Sequence, residues 1–441
     1  MTDVPAAHDP GVRDLLRIPA FRRLYVAQAI SDLGDGMTFL ALYLLVLNLT
    51  QSTAAVAVVS ILVALPPVTI GLVAGAVADR MDRRLLMVGS DLVRAVLVAA
   101  MVPAALAGSV PVIFTLACLQ AVIGTFFTPA RMAMLPRAVP LEGLLAANSI
   151  GQATRMVMGV VGAGVTGVVA AVAGFAWPVL LVDAATFLAS ALIVVGLARE
   201  LGMPSGVHAG GVQGLGGSVV EGLRVVARSR PLVATLGGVA MTMLGIGAIN
   251  VLFLPFVVRD LGASPAWAGL LEGAQTLSMI LAGTMVTALA ARLRTSTLFT
   301  VSLAGVAVCV SLFAAAPGPW AVALIMFAVG WFVMPVQVTT ATIVQTATTD
   351  ATRGRVAGAL NAVVQTATIG SMAAAGILAG VVGIRAVFVG GAAVVGLAAV
   401  VAWWLFRDAG ASVLQQTGTG TMPDPEAPAG AVVTAGAEPA S

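Results

Sequence analysis

The chain has 441 residues, of which 59% are hydrophobic and 9% are charged, and its formal net charge is +3. Soluble domains carry about 25% charged residues, so this composition excludes a water-soluble enzyme and predicts a chain that lies mostly in lipid. The two cysteines, Cys118 and Cys309, and the two histidines, His8 and His208, do not form a disulfide framework, a metal site or a buried catalytic cluster by their spacing. We therefore expect no cofactor and no metal.

Uncharged runs punctuated by arginine divide the chain into predicted helices. About 20 apolar residues cross a bilayer as a helix, which satisfies its own backbone groups, and the runs lack the alternation of barrel strands. We predict an all-α membrane protein with twelve transmembrane helices. In chain order these spans cover residues 23–48, 54–78, 84–107, 111–130, 149–174, 178–198, 231–257, 266–290, 296–315, 320–345, 355–382 and 385–406.

The positions of the basic residues predict the orientation in the membrane. All 22 basic residues are arginines, and most lie in the N-terminal segment, the even-numbered connections and the tail. Arg259 and Arg385 fall on the opposite side, while Arg94 and Arg155 fall within spans. Because basic residues are enriched in cytoplasmic loops, we predict a multi-pass protein of the cell inner (cytoplasmic) membrane with both termini cytoplasmic. The charge thus reflects topology, and we expect no nucleic-acid partner.

The spans divide into two groups of six. A weak internal repeat, in which Arg80 aligns with Arg292 and Asn148 with Asn361, supports two pseudo-symmetric bundles. Segments rich in Pro, Ala, Gly and Thr at both ends are predicted to be disordered. The predicted order is a cytoplasmic N-terminal segment (1–20), a six-helix bundle (21–198), a cytoplasmic linker (199–230), a second six-helix bundle (231–406) and a disordered cytoplasmic tail (407–441).

Two acids stand out in the first span. Asp32 and Asp35 are three residues apart and share a helix face, and Gln28 extends this polar stripe by one turn. At 1.5 Å per residue they lie about 14–18 Å beyond Arg23, near the middle of the bilayer. Charges at this depth face a cavity, a pathway or a partner. Desolvation and mutual repulsion disfavour two charged carboxylates side by side, so one of them can bind and release a proton.

Arg155 in the fifth span can reach Asp32 or Asp35, which leaves two roles open for these acids. Either an acid titrates and couples the protein to protons, or the pair is a permanent structural ion pair. Glu272 in the eighth span can recognise a cation, relay protons or extend to the interface. We take Asp32, Asp35, Arg155 and Glu272 as candidate proton-coupling residues. Asp183 in the sixth span is predicted to be structural.

Uncharged polar and aromatic side chains within the spans are candidates for lining a substrate cavity. Spans ten and eleven are rich in Gln and Thr, whose polar groups can line a wet cavity, although many Thr hydroxyls bond their own helix. An indole ring can stack on a flat ligand. The candidate cavity residues are Gln28, Trp331, Gln337 and Gln365.

Several segments carry a family resemblance. Gly71-Leu-Val-Ala-Gly-Ala-Val-Ala-Asp79-Arg80-Met-Asp-Arg83-Arg84 resembles the signature between helices two and three of the major facilitator superfamily. The resemblance implies two six-helix bundles that rock about a central cavity. Segments that resemble its macrolide-efflux and enterobactin-exporter-like branch are Ser31-Asp-Leu-Gly34-Asp35, Pro129-Ala-Arg131, Ala147-Asn148 and Arg353-Gly-Arg355.

The signature also implies a conformational latch of charged side chains. Asp79 would pair with Arg83 or Arg94, while Asp91 and Arg94, three residues apart on one face, would complete it. A loop of solvated charges that only sets topology is the alternative. The latch candidates are Asp79, Arg80, Arg83, Arg84, Asp91 and Arg94.

The sequence contains no Walker-type loop, and a chain without lysine cannot form one, so an ion gradient is the expected energy source. We expect a proton-coupled antiporter that exports an amphipathic small molecule, with protons and the lipid bilayer as its other partners. The resemblance implies a drug, a macrolide-like antibiotic or a siderophore. The alternatives are an uptake symporter or facilitator for a nutrient or lipid, and a membrane receptor or embedded enzyme.

Overall fold

The computed structural model describes residues 12–174, 176–203, 215–290 and 292–417. Twelve long helical spans run through this part of the chain, and each coincides with a predicted span. They are α1 (Pro19–Thr50), α2 (Thr53–Thr69 continued by Gly71–Arg80), α3 (Arg83–Leu106), α4 (Val110–Ala138), α5 (Leu144–Ala173), α6 (Trp177–Val195), α7 (Arg230–Pro255), α8 (Ala266–Ala290), α9 (Thr295–Ala315), α10 (Pro319–Ala347), α11 (Asp350–Val382) and α12 (Ile384–Thr417).

Length and apolar composition qualify most of these helices as membrane spans. Among the described residues, 10 helices are long and apolar enough to cross a membrane, and the bent α2 raises the number to 11. The remaining helix, α8, has 25 residues and lies where the eighth span is predicted. The bend of 53° in α2 follows Pro66 and Pro67, which cannot donate backbone hydrogen bonds and clash with the preceding turn.

Two bundles of six helices repeat one packing pattern. In the first half, α1 packs against α5 and α6, α3 packs against α4 and α6, and α2 packs against α4. In the second half, α7 packs against α11 and α12, α9 packs against α10 and α12, and α8 packs against α10. Each pair in the first half recurs six helices later in the chain. The protein is therefore an all-α membrane protein of two pseudo-symmetric six-helix bundles.

The halves meet mainly through α5 against α8 and through α2 against α11. A Cβ atom added to Gly269 of α8 would lie 2.4 Å from the Cα atom of Gly164 in α5. A Cβ atom added to Gly376 of α11 would lie 2.3 Å from the Cβ atom of Ala57 in α2. Small residues allow this approach at backbone distance.

These contacts lie at one end of the bundle, which we call the closed end. It carries the connections between α1 and α2, between α5 and α6, and between α7 and α8. Arg259 after α7 donates a hydrogen bond of 2.9 Å to Oε1 of Gln51 after α1, so a polar contact also joins the two halves here. Arg385 lies 3.5 Å from Asp260 at the same end.

Parts of the two segments predicted to be disordered are helical. Val12–Arg17 forms a short helix, because its fully buried Leu15 packs into an apolar cluster with Phe21 and Leu24 of α1. Helix α12 continues to Thr417, past the predicted start of the tail. Residues 1–11 and 418–441 lie outside the described residues.

The described parts of the predicted linker are also helical. They form Arg199–Gly202 and Leu215–Ala227. The second of these helices packs on α11, where a Cβ atom added to Gly222 would lie 2.2 Å from the carbonyl oxygen of Arg355. The glycine at this position therefore permits close packing of this helix on α11.

Substitution of Gly269 by alanine should open the closed end. The new methyl group would overlap Gly164, and such overpacking costs about 1–3 kcal/mol. Gly164→Ala is the matched control, because a Cβ atom at Gly164 meets no other atom within 4 Å. The readout is the distance distribution between spin labels on cysteines placed at Ser109 and Pro317, with Cys118 and Cys309 replaced by serine.

We expect a longer-distance population in Gly269→Ala and unchanged distances in Gly164→Ala. Identical distributions in Gly269→Ala and the parent protein would contradict the close packing of α5 against α8.

Candidate functional site

A cluster of charged side chains lies inside the first half, and we call it the charge cluster. It begins with Asp32 on α1, whose Oδ1 atom is 3.6 Å from Nε of Arg155 on α5. The Asp32 side chain is 11% exposed, whereas that of Arg155 is 42% exposed, so the acid is the more buried partner. The structure thus brings together two residues that the sequence places more than 120 positions apart. The members of the cluster are Asp32, Asp35, Asp91, Arg94, Arg131, Arg155 and Asp183.

Asp35 pairs with a different arginine. Its Oδ1 atom accepts a hydrogen bond from Nη2 of Arg94 on α3. The guanidinium of Arg94 also lies 3.9 Å from the carboxylate of Asp91, which is fully buried, and 3.9 Å from the ring centre of Phe187. One buried arginine therefore lies between two acids and stacks on an aromatic face, so its single positive charge is shared by two carboxylates.

Gln28 connects the Asp32 pair to a third arginine. Its amide donates to Oδ2 of Asp32 at 3.1 Å, and its Oε1 atom accepts a hydrogen bond of 2.7 Å from Arg131 on α4. Gln28 is 3% exposed and Arg131 is 7% exposed. This corrects the expectation that Gln28 lines a substrate cavity, because its polar groups are used within the charge cluster.

Asp183 on α6 is held by hydroxyl groups. Thr38 donates to its Oδ2 atom at 2.5 Å and Thr186 donates to its Oδ1 atom at 3.0 Å. Gly34 makes room for it, because a Cβ atom at Gly34 would lie 1.9 Å from Oδ1 of Asp183. These contacts fit the predicted structural role of Asp183.

The acids and bases of the charge cluster do not balance. The acids Asp32, Asp35, Asp91 and Asp183 face the arginines Arg94, Arg131 and Arg155. With every group ionised, the cluster carries one surplus negative charge. Net charge is costly inside a membrane protein, and a single proton bound to one of the four carboxylates removes it.

Part of the charge cluster lines a cavity of about 650 Å³, which we call the polar cavity. Both α1 acids border it, and so do Arg94 and Arg155. Gln120 and Thr125 of α4 add uncharged polar groups. The two acids of the first span therefore border open space and lie beside cationic partners.

A second cavity, of about 340 Å³, lies between the two halves, and we call it the central cavity. Its lining comes from α1, α5, α7, α8, α9 and α10. Glu272 of α8 supplies the acid of this lining, and none of the described lining residues is basic. Most of the surface is apolar and aromatic, with Phe39, Phe253 and Phe313 among the lining side chains.

Gly159 of α5 lines both cavities. A Cβ atom built on Gly159 meets no other atom within 4 Å, so space is open at this position. The polar cavity and the central cavity therefore adjoin each other where a helix carries no side chain.

The predicted latch residues occupy two separate places. Arg94 and Asp91 belong to the charge cluster, which corrects the expectation that they lie beside Asp79. The physical reason is distance along the helix, since Arg94 lies 11 residues beyond Arg83 on α3, or about 16 Å. Asp79 and Arg80 are exposed at the end of α2.

Arg83 and Arg84 donate to backbone carbonyl groups at helix ends. Arg83 donates to the carbonyl oxygen of Ala78 near the end of α2 at 3.3 Å, and Arg84 donates to that of Val194 at the end of α6 at 3.3 Å. Cations at a helix C-terminus satisfy unpaired carbonyl groups and complement the helix dipole. In this state both arginines tie α3 to other helices of the first half.

The remaining predicted cavity residues lie away from the central cavity. Trp331 lines a different cavity of about 310 Å³ with Arg292 and Met285. Gln337 is exposed and Gln365 is half-buried, and neither is among the lining residues of the cavities described here. The residue types of spans ten and eleven did not reveal which helix faces turn inward.

Sequence reasoning missed Arg131 and Asn250 as interior residues. Arg131 directly follows the predicted span 111–130, but α4 continues to Ala138 and keeps Arg131 inside the bundle. Asn250 lies in an apolar stretch of α7 and lines the central cavity. The sequence signal for an interior position of Asn250 is a single amide side chain within an apolar span.

Comparisons with known proteins agree on one kind of molecule. Residues 14–427 match the MFS_3 family, described as transmembrane secretion effector. The chain is 31% identical to the multidrug efflux pump Tap of Mycobacterium tuberculosis over 253 residues. This alignment covers 55% of this chain and 58% of Tap. The chain is 28% identical to the MFS-type transporter YfiS of Bacillus subtilis over 380 residues, and this alignment covers 83% of this chain and 88% of YfiS. Across several of these curated relatives the chain spans about half of the relative's length.

The fold is similar to that of solved transporters. A crystal structure of the nucleoside transporter NupG (D323A mutant) aligns with a TM-score of 0.73 at 12% identity, over 88% of this chain and 100% of NupG. At this identity the likeness concerns the fold alone.

Replacement of Arg94 by glutamine should strongly destabilise the protein. It leaves Asp35 and the buried Asp91 without their shared cation, and breaking a buried pair costs about 3–5 kcal/mol. Arg155→Gln is the comparison, because the Arg155 side chain is 42% exposed and faces one acid, whereas the Arg94 side chain is 7% exposed and faces two, so the loss of Arg155 should cost less. The measurement is the thermal unfolding midpoint of the purified proteins in detergent.

The double variant Arg94→Gln/Asp35→Asn should recover part of the loss, since only Asp91 then stays uncompensated. Equal unfolding midpoints for Arg94→Gln and Arg155→Gln would contradict a larger contribution of the Arg94 pairs to stability.

Proposed function

The chain belongs to the transmembrane secretion effectors of the major facilitator superfamily and is a secondary transporter, not an enzyme; on this premise we propose that it is a proton-coupled exporter of an amphipathic small molecule. The observation that carries the proposal is the pairing of the α1 acids with arginines beside a cavity in the membrane interior. The similarity to the efflux pump Tap supports export as the direction. A drug, a macrolide-like antibiotic or a siderophore is the proposed substrate class by family likeness.

The proposed proton site is the pair formed by Asp32 and Arg155. A proton that binds Asp32 removes the charge that attracts Arg155, so the guanidinium is released. The same reasoning applies to Asp35 and Arg94. Because the charge cluster has one carboxylate in excess, one bound proton makes the numbers of charged carboxylates and arginines equal.

Helix α5 provides a route from proton binding to a change in access. It carries Arg155 near its middle and, about 13 Å further along, Gly164, which contacts α8 at the closed end. A shift of α5 relative to α1 on release of Arg155 would therefore alter the contact between the halves. Alternating access needs such an element with two arrangements whose balance the proton can bias.

The arginine-rich loops support a cytoplasmic location of both termini in the inner membrane. On this orientation the closed end faces outward, and the structure represents a state with its outer side shut. Asp79, Arg80, Arg83 and Arg84 would then act as a latch on the cytoplasmic side, where Arg83 and Arg84 now hold helix ends of the first half.

The test is transport in proteoliposomes with an imposed pH gradient and a panel of a cationic dye, a macrolide and a catecholate siderophore. We expect at least one compound to accumulate in vesicles with an acidic interior. Asp32→Asn and Asp35→Asn should reduce this uptake to the level of empty vesicles, because neither amide can exchange the proton. Asp14→Asn, which removes an exposed acid paired with Arg17, is the control and should transport normally.

Accumulation only in vesicles with an acidic exterior would identify an uptake symporter and overturn export. Full gradient-driven uptake by both Asp32→Asn and Asp35→Asn would remove these acids from the coupling step.

A further inference from the structure

The central cavity contains an acid with a different environment from the acids of the charge cluster. Glu272 lies on α8 between the two halves, while Asp32 and Asp35 lie within the first half. Each of those α1 acids has an arginine as its partner. The described lining of the central cavity offers Glu272 no basic side chain. A carboxylate in this position attracts a cation supplied from outside the protein.

We propose that the central cavity binds an amphipathic monocation and that Glu272 is its counter-ion. The proposal rests on the proposed function, because it names the substrate class that the exporter would carry. It assigns Glu272 to substrate recognition and leaves proton exchange to Asp32 and Asp35.

The walls of the cavity suit the apolar part of such a ligand. Phe39 and Phe253 expose aromatic surface and line the cavity, and aromatic faces attract organic cations as well as apolar groups. Met326 and Val329 of α10 add apolar side chains to the lining. A volume of about 340 Å³ lies within the range of sites for small molecules.

Uncharged polar groups that share the cavity lining with Glu272 can orient the charged part of the ligand. Gln275 and Thr276 follow Glu272 within one turn of α8, and Tyr43 and Asn250 come from α1 and α7. All four are uncharged, so they can solvate a cation or its substituents without competing for the carboxylate. The cavity therefore has one negative charge, a few hydrogen-bonding groups and a large apolar surface.

The location of the cavity also fits a carried ligand. Its lining comes from α1 and α5 of the first half and from α7, α8, α9 and α10 of the second half. A ligand held there contacts both bundles at once. A change in the contact of α5 with α8 therefore changes the site. The central cavity and the polar cavity adjoin at Gly159, which has no side chain to stand between them.

Equilibrium binding of radiolabelled tetraphenylphosphonium to the purified full chain in nanodiscs, without any gradient, tests the proposal. Triphenylphosphine oxide is the neutral control ligand, and tetraphenylborate is a near-isosteric anion. We expect the wild-type protein to bind the cation and to bind the neutral and anionic probes far more weakly. Glu272→Gln should weaken binding of the cation by about tenfold to a hundredfold, as expected for loss of a charge-assisted contact.

Two further variants separate the loss of the charge from damage to the protein. Glu272→Asp keeps the charge and should retain most of the affinity for tetraphenylphosphonium. Asp260→Asn removes an acid near the closed end, outside the central cavity, and should bind as the wild type does. Thermal midpoints of all variants check that the fold is intact.

Equal affinity of the wild type and Glu272→Gln for tetraphenylphosphonium would overturn the proposal, as would equal affinity of the wild type for the cation and triphenylphosphine oxide. Glu272-dependent binding in a protein that moves no protons would refute the proposed coupling and leave this site in place. Proton-driven transport of a neutral compound, with no Glu272-dependent binding of the cation, would refute the cation site and leave the proposed coupling in place.

Discussion

A carboxylate inside a membrane protein needs a cation, a hydrogen-bond donor or a proton, and this requirement organises the first half of the molecule. Four acids from α1, α3 and α6 meet three arginines from α3, α4 and α5. Each pairing joins two helices or fixes a side chain against its own helix. The arginines therefore link α1 to α3, α4 and α5. The one carboxylate in excess leaves a place for a proton in an otherwise compensated cluster.

The second half contributes a different kind of site. Its acid in the central cavity, Glu272, lies among aromatic and uncharged polar side chains and has no arginine in the described lining. On the proposed function, the charge cluster of the first half would exchange the proton and the central cavity would bind the ligand. Helix α5 touches both, because Arg155 borders the polar cavity and Gly159 borders both cavities. The same helix meets α8 at the closed end through Gly164.

Hydropathy was sufficient to predict the helices, because a long apolar run in lipid has few alternatives to a helix. The positions of all twelve spans followed from the uncharged runs, and Asp32 and Asp35 were evident from their depth in α1. Partners were harder to predict. Arg155 was correctly expected to reach an α1 acid, but the pairing of Arg94 with Asp35 depends on how α3 packs against α1. A single sequence does not specify that contact.

The directions in which side chains point also escaped prediction. Trp331 and Gln337 have suitable chemistry for a ligand site, yet the first lines another cavity and the second is exposed. Both belong to α10, whose apolar residues occur on all sides. Membrane helices carry little amphipathic signal, so the inward face is defined by packing that only the structure reveals.

The most direct test is infrared difference spectroscopy of the purified protein as the pH is raised, which follows the carbonyl band of protonated carboxyl groups. In the wild type we expect a protonated carboxyl that titrates, and its band should be lost in Asp32→Asn or in Asp35→Asn. A titrating band that is unchanged in both variants and disappears in Asp183→Asn would place the exchangeable proton on α6 and contradict a proton site on α1.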